Sequence, residues 1–215
     1  MTDMKISKEE FDKAFHSLEY TPDDFHKITW AEFDTVMEKI ANDVRGFLSE
    51  SGLSVRYIVP ILRGAAIPAV VLSHKLSVVD MMPVQINCLG KGRTEMLFDP
   101  TPVPMAPVAA NECVIVVEDN QGSGGTANQV IEIVKKKFGA DVKIIFVRLT
   151  TSWGCEDRVP GMAFIATGFL TNEMKLLPAG EDPAAHGITV TKLACFPWET
   201  PEEELKKMAM NRARP

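Results

Sequence analysis

Near the start of the chain, apolar residues recur twice at helical spacing. Phe11, Ala14, Phe15 and Leu18 follow Ser7 and Glu10; Phe33, Val36, Met37, Ile40, Val44, Phe47 and Leu48 follow Thr29 and Glu32. A hydroxyl residue with a glutamate three positions on is a capping box, so each run predicts a helix with a defined start. The period then changes. Val55 to Leu62, Val84 to Cys88, Val114 to Val117 and Ile144 to Leu149 are short, continuous apolar runs rich in β-branched residues, with helical stretches between several of them. Unbroken apolar runs suit strands covered on both faces, which predicts a parallel sheet flanked by helices, an α/β architecture. Ala127 to Phe138 reads as a central helix with Val130, Ile133, Val134 and Phe138 on one face and Gly139 at its end. Residues 99 to 110 hold Pro100, Pro102, Pro104 and Pro107, a density that excludes helix and ladder pairing, so a loop is expected. Thr200-Pro201-Glu202-Glu203 is a third capping signature, opening a last helix that runs into a basic tail.

Composition fits a globular domain. Of 215 residues, 46% are hydrophobic and 24% charged, which excludes disordered, collagen-like and disulfide-scaffold classes. With 23 Lys and Arg against 29 Asp and Glu, the formal charge of −6 argues against nucleic-acid polymers and anionic membranes as partners. Cys88, Cys113, Cys155 and Cys195 lie far apart without zinc spacing and read as reduced thiols. His16, His26, His74 and His186 are scattered and suggest neither a metal site nor a triad. No segment has signal-peptide or membrane-span character, and a cytoplasmic protein is expected.

The chemistry concentrates in Val114-Ile115-Val116-Val117-Glu118-Asp119-Asn120-Gln121-Gly122-Ser123-Gly124-Gly125-Thr126-Ala127. A buried strand ends in two carboxylates, and a loop of glycines and hydroxyls leads straight into a helix. Amides at a helix N-terminus and the helix dipole favour an anion, so residues 122 to 126 form a plausible phosphate cradle. Carboxylates beside a phosphate make sense where the ligand also presents hydroxyls, a cation, or a sugar that becomes positive during reaction. Other readings of the loop stand beside this one. The segment formally fits G-x-G-x-x-G/A, but the acid expected about 20 positions on is absent and the next strand carries Arg148. A serine nucleophile elbow needs glycine where Gln121 stands. A glycine turn that merely packs strand against helix leaves Glu118 and Asp119 without a purpose.

Four apolar residues, two acids, a short variable stretch and Ser-Gly-Gly-Thr resemble the phosphoribosyl pyrophosphate (PRPP) signature of the type I phosphoribosyltransferases. Tyr57-Ile-Val-Pro-Ile-Leu-Arg63-Gly64-Ala65-Ala66-Ile-Pro68 is similar to the earlier strand-loop-helix of that family. Ile28-Thr29-Trp30, Arg148 at a strand end and Phe196-Pro197-Trp198-Glu199 resemble the 6-oxopurine branch, which uses xanthine, guanine or hypoxanthine. The resemblance spans roughly residues 28 to 200, leaving residues 1 to 27 as an N-terminal helical extension and 201 to 215 as a C-terminal helix and tail.

The resemblance implies a parallel sheet between helices with a small hood from the terminal segments, and transfer of a phosphoribosyl group from PRPP to a nucleobase. Glu118 and Asp119 would serve the ribose and its developing charge. Gly122, Ser123, Gly124, Gly125 and Thr126 would hold the 5′-phosphate. Arg63 and Gly64, after a cis Leu62–Arg63 peptide, would take the pyrophosphate, with Lys91 and Arg93 from a lid over Leu89 to Glu95. Arg148, Leu193, Phe196, Trp198 and Glu199 would meet the base, although Phe196 and Trp198 suit a packing role equally well. Mg²⁺ is the implied cofactor, near Asp119 and Glu199, and a homodimer or homotetramer the implied assembly. The pattern departs from the branch at Gly122, where an aspartate near the purine N7 is usual. Another residue or water would have to move the proton there, or the acceptor base differs. A homologue that binds PRPP or a nucleotide as a metabolite sensor is the alternative.

Overall fold

A computed structural model describes residues 7–90 and 93–213. Helix α1 (Lys8–Ser17) and helix α2 (Trp30–Ser51) begin at the expected capping boxes, with Ser7 and Thr29 accepting from the amides of Glu10 and Glu32. Between them lies a short strand, β1 (Phe25–Lys27). The chain then alternates: β2 (Ser54–Leu62), α3 (Ala66–Leu76), β3 (Val84–Gly90), β4 (Arg93–Phe98), β5 (Glu112–Gln121), α4 (Gly125–Phe138), β6 (Lys143–Ser152) and β7 (Phe164–Thr171), ending in β8 (Leu193–Cys195) and α5 (Pro201–Ala213).

The main sheet has the order β4-β3-β2-β5-β6-β7. Its strands run parallel except β4, which pairs antiparallel with β3. The sheet is therefore mostly parallel, and the described residues of the segment expected as a lid, Leu89 to Glu95, take part in the β3–β4 pairing. Thr94 at its edge bonds Gln129 of α4 at 2.8 Å. The apolar runs are continuous because alternate residues feed two cores. Ile115, Val117, Ile145 and Val147 pack under α2 and α3, while Val114, Val116, Ile144 and Phe146 pack under α4.

The same alternation sorts the polar residues that extend β5 and β6. Glu118 and Arg148, opposite each other in register, continue the row that faces α4. Asp119 turns to the other face, towards the start of α3.

The terminal segments close over one end. β1 and β8 form a parallel two-stranded sheet with Phe25 opposite Leu193, and Phe25, Leu193 and Cys195 pack with Tyr20, Leu205 and Met208 of the flanking segments. The proline-rich stretch is irregular as expected and is held by Lys137, whose ammonium donates to the carbonyls of Pro100, Thr101 and Val103 at 3.1, 3.0 and 2.6 Å. Among the described residues, no helix is long and apolar enough to cross a membrane.

Candidate active site

The β5–α4 junction gathers the acid pair and the glycine loop at the ends of the parallel strands. Gly124 caps α4 in the left-handed region at φ 74°, leaving the amides of the first turn at the loop. The loop is anchored from below. Asn128 donates to the carbonyls of Gly124 and Arg158, each at 2.9 Å, and Gln121 donates to those of Gly122 and Cys155 at 3.0 and 2.9 Å. Ser123 and Thr126 are half-buried at the loop surface.

Across from this loop, the turn between β2 and α3 brings Arg63 and Gly64 to the acids. The Leu62–Arg63 peptide is cis, as the resemblance implies, and the Arg63 side chain is exposed. Gly64 lies so close to Asp119 that a Cβ there would sit 1.6 Å from Oδ2 and 2.1 Å from Cγ. The hydrogen at this position is thus the seat of the Asp119 carboxylate. Burial raises the pKa of Asp119, the amides of Asn120 and Asp119 itself oppose that shift, and Glu204 and Lys207 of α5 act on it with opposite signs.

Glu118 is buried and its Oε2 has no partner among the described residues. Burial first, then the charge of Asp119, pushes its carboxyl well above the usual range, and Arg148 pulls it back. Arg148 itself is buried. Its Nε donates to Thr167 Oγ1 at 2.8 Å, and its Nη1 donates to the Glu156 carbonyl at 2.9 Å and to Gln121 Oε1. The guanidinium therefore braces the loop from inside rather than presenting its whole fork to a ligand.

The other residues expected at the base come from the closing segment of the chain. Leu193 is packed in β8 against the terminal segments. Phe196 belongs to the main core and stacks on Trp198 with centroids 5.0 Å apart, and Trp198 meets Phe33 edge-on at 5.1 Å. Both aromatics thus have a packing role, and Trp198 remains half-buried. Lys91 and the side chain of Arg93 lie outside the described residues.

Glu199 stands nearer the acids. Its Oε2 accepts from the Phe196 amide at 3.2 Å, and burial, with the charges of Glu204 and Asp119 adding to it, raises its pKa to about 7 from an ordinary 4.5. Between those two values the folded protein holds a proton that the unfolded chain releases, so stability falls as pH rises through this window. Glu199→Gln is expected to narrow the gap between the melting temperatures at pH 5 and pH 8. An unchanged gap would assign the pH dependence to other groups.

Sequence reasoning missed the role of α1. A Cβ on Gly122 would lie 2.7 Å from Cζ of Phe11, which packs with Cys155, Met174, Ala14 and Leu176. The glycine that departs from the branch pattern is the surface on which Phe11 rests. Gly122→Ala alone is expected to cost about 1–3 kcal/mol by overpacking. Combined with Phe11→Ala, it should cost less than the sum of the single changes in urea melts, and strict additivity would show that the two positions do not touch. Asn128 and Gln121 were also missed, because a carbonyl partner leaves no mark in a sequence.

Comparison with known proteins places this architecture. No protein-family model matches the chain, and no curated protein matches it. Solved structures do. A purine phosphoribosyltransferase from Pyrococcus horikoshii Ot3 is 24% identical with a TM-score of 0.55, over 82% of this chain and 94% of that one. A Helicobacter pylori xanthine-guanine-hypoxanthine phosphoribosyltransferase is 14% identical with a TM-score of 0.55, over 85% and 99%. The chain has the phosphoribosyltransferase fold. A hypothetical protein from Neisseria gonorrhoeae with bound ppGpp matches as well, at 16% identity and a TM-score of 0.59, over 86% and 96%. Within that fold, the acid pair and glycine loop occupy the strand ends where open α/β sheets bind ligands.

Proposed function

We propose that the protein transfers the 5-phosphoribosyl group of PRPP to a nucleobase, a purine by analogy with the Pyrococcus and Helicobacter enzymes, giving a nucleoside monophosphate and pyrophosphate. The observation that carries this reading is the seating of Asp119 against Gly64, which joins the acid pair of β5 to the turn after β2 in one site. In it, the amides of residues 122 to 126 and the hydroxyls of Ser123 and Thr126 bind the 5′-phosphate. Glu118 and Asp119 orient the ribose hydroxyls and oppose the positive charge that develops at C1 as pyrophosphate leaves. Arg63, exposed beside Gly64, binds the departing pyrophosphate. Orientation and fixed electrostatics supply the rate.

Mg²⁺ fits the donor set. Among the described residues, no three carboxylate, histidine or cysteine groups converge on one point. Asp119 and Glu199, close enough to influence each other, would hold the ion together with substrate oxygens, the sharing that Mg²⁺ favours over an all-protein cage. When bound, it would neutralise charge on the pyrophosphate. A homodimer or homotetramer goes with the same reading and is checked by light scattering.

A second reading, nucleotide binding without transfer, is favoured by Gly122, which leaves the loop with no group to move a proton. One assay separates the two. With PRPP, Mg²⁺ and a panel of purines, pyrimidines and orotate, pyrophosphate release with any base is the expected result. Binding of PRPP or a nucleoside monophosphate without release would support the sensor, and no binding at all would overturn both.

A further inference from the structure

PRPP carries pyrophosphate on one face of the ribose, and a nucleoside monophosphate carries its base on the other. The base therefore reaches C1 from the side away from the leaving group. In the transferase reading the pyrophosphate lies at the turn after β2, and β6 and β7 are on the opposite side of β5. An acceptor thus enters over the ends of β5, β6 and β7, and that ground is occupied. Resting on the transferase reading above, we propose that α1 plugs the acceptor subsite: Phe11 lies where the incoming base must lie, and the base binds as α1 gives way.

Phe11 meets all three strand ends. A Cβ on Gly122, which directly follows β5, would lie 2.7 Å from its Cζ. Cys155, shortly past β6, and Met174, shortly past β7, are buried in the same cluster, with Ala14 and Leu176 packed against it. The ring fills this space and is itself only 7% exposed. The pocket is built without α1. Gln121, wholly buried, donates to the carbonyls of Gly122 and Cys155 at 3.0 and 2.9 Å, which ties the ends of β5 and β6 together with no help from the ring. A phenyl ring and a nucleobase are both flat, and Gly122, with no side chain, can seat either.

The attachment of α1 suits a part that comes away. Among its described side chains, Phe11 is buried and Ala14 half-buried, while Glu9, Glu10, Lys13 and Ser17 are exposed. The helix has 10 residues, a length at which an isolated helix is marginal in water, so it stays helical by docking. The chain after it is fixed separately: the Tyr20 hydroxyl donates to the Glu173 carbonyl at 3.0 Å, and Phe25 pairs with Leu193. Release of α1 can pivot at Leu18, where the backbone is already extended, and leave β1 in place. Docking of α1 and binding of a base are then alternatives, so the apparent affinity for the base scales with the fraction of molecules in which α1 is undocked.

The test has two arms. In the first, wild type and Phe11→Ala are compared for PRPP binding by calorimetry and for pyrophosphate release at varied base concentration. Phe11→Ala is expected to lower KM for the base about tenfold and to bind PRPP within about twofold of wild type. A KM that is unchanged or higher overturns the plug and leaves the transferase reading standing. The second arm uses the wild-type chain alone, so it decides even where the variant does not fold. Trypsin cleavage at the exposed Lys13 is followed with ribose 5-phosphate, which lacks a base, and with the monophosphates of adenosine, guanosine, inosine and xanthosine. Cleavage about fivefold faster with at least one nucleotide than with ribose 5-phosphate is the expected result. Equal or slower cleavage with all four overturns the proposal. No pyrophosphate release by either protein with any base overturns the transferase reading, and the plug falls with it.

Discussion

Gly64→Ala is expected to lower turnover by about 100-fold while leaving the protein folded. The new methyl carbon would overlap the Asp119 carboxylate, at 1.6 Å from Oδ2 and 2.7 Å from Oδ1. The atoms it meets belong to a side chain, so Asp119 can rotate away. A forced rotamer costs about 0.5–1.5 kcal/mol, small beside a domain's usual margin of about 5–15 kcal/mol. The functional cost is much larger. A displacement of about 1 Å of a group that orients substrate can lower the rate about 100-fold. Circular dichroism melts and pyrophosphate release, measured on the same preparation, separate the two effects. A variant with normal kcat would remove the Asp119–Gly64 contact from the site, and one that fails to fold would show the contact to be structural.

The largest effect on stability is expected from Arg148→Met. The guanidinium joins Thr167, Gln121 and the carbonyl of Glu156, and it offsets the buried Glu118 carboxyl in the next strand. Methionine fills similar volume but removes the guanidinium donor from Thr167 and the Glu156 carbonyl, leaves Gln121 Oε1 with Thr151 alone, and leaves Glu118 without a cation. Breaking a buried charge pair from one side costs about 3–5 kcal/mol. The loss should depend on pH in a definite direction. Glu118 already has a raised pKa, and losing Arg148 raises it further. The folded state of the variant then favours protonated Glu118, so its stability declines as pH rises. Urea midpoints should differ from wild type more at pH 8 than at pH 5. Adding Glu118→Gln should recover part of the deficit, and a double variant no more stable than Arg148→Met alone would show that the two residues are not coupled.

The core of the fold was legible because each run of apolar residues had one physical explanation. Ser7 and Thr29 announced their helices through local hydrogen bonds, and the β-branched runs marked strands covered on both faces. β1 and β8 were not legible. Phe25–Lys27 and Leu193–Cys195 are three residues each, too short for a period, and they exist by pairing across nearly the whole chain. β7 was missed for a related reason: Phe164–Thr171 mixes half-buried glycine, threonine and apolar residues, and its partner β6 defines it.

The site divides in the same way. The acid pair, the glycine loop and the Arg63-Gly64 turn are contiguous segments whose chemistry can be read locally. The base-facing set was read from position along a motif, and the packing of those residues could not be read that way. Phe196 and Trp198 satisfy each other and Phe33, and Arg148 satisfies the loop. Phe11 gave no signal, because its importance lies in what the fold places beside it.

The pairing of Phe25 with Leu193 also bears on the order of events during synthesis. Strand β1 emerges from the ribosome early, yet its partner is among the last segments made. The main sheet from β2 to β7 can assemble in the interval, with its acids and loop already in register, because all six of its strands are made before β8. The segment joining α1 to α2 can tie Tyr20 and Asp24 to residues 173 and 175 earlier, but it gains its strand partner only when β8 arrives. A nascent chain stalled before residue 193 would thus be expected to carry the phosphate-binding half of the site without the cover at its ends. Proteases should then cut near residues 18 to 29 in that stalled chain and spare them in the finished protein.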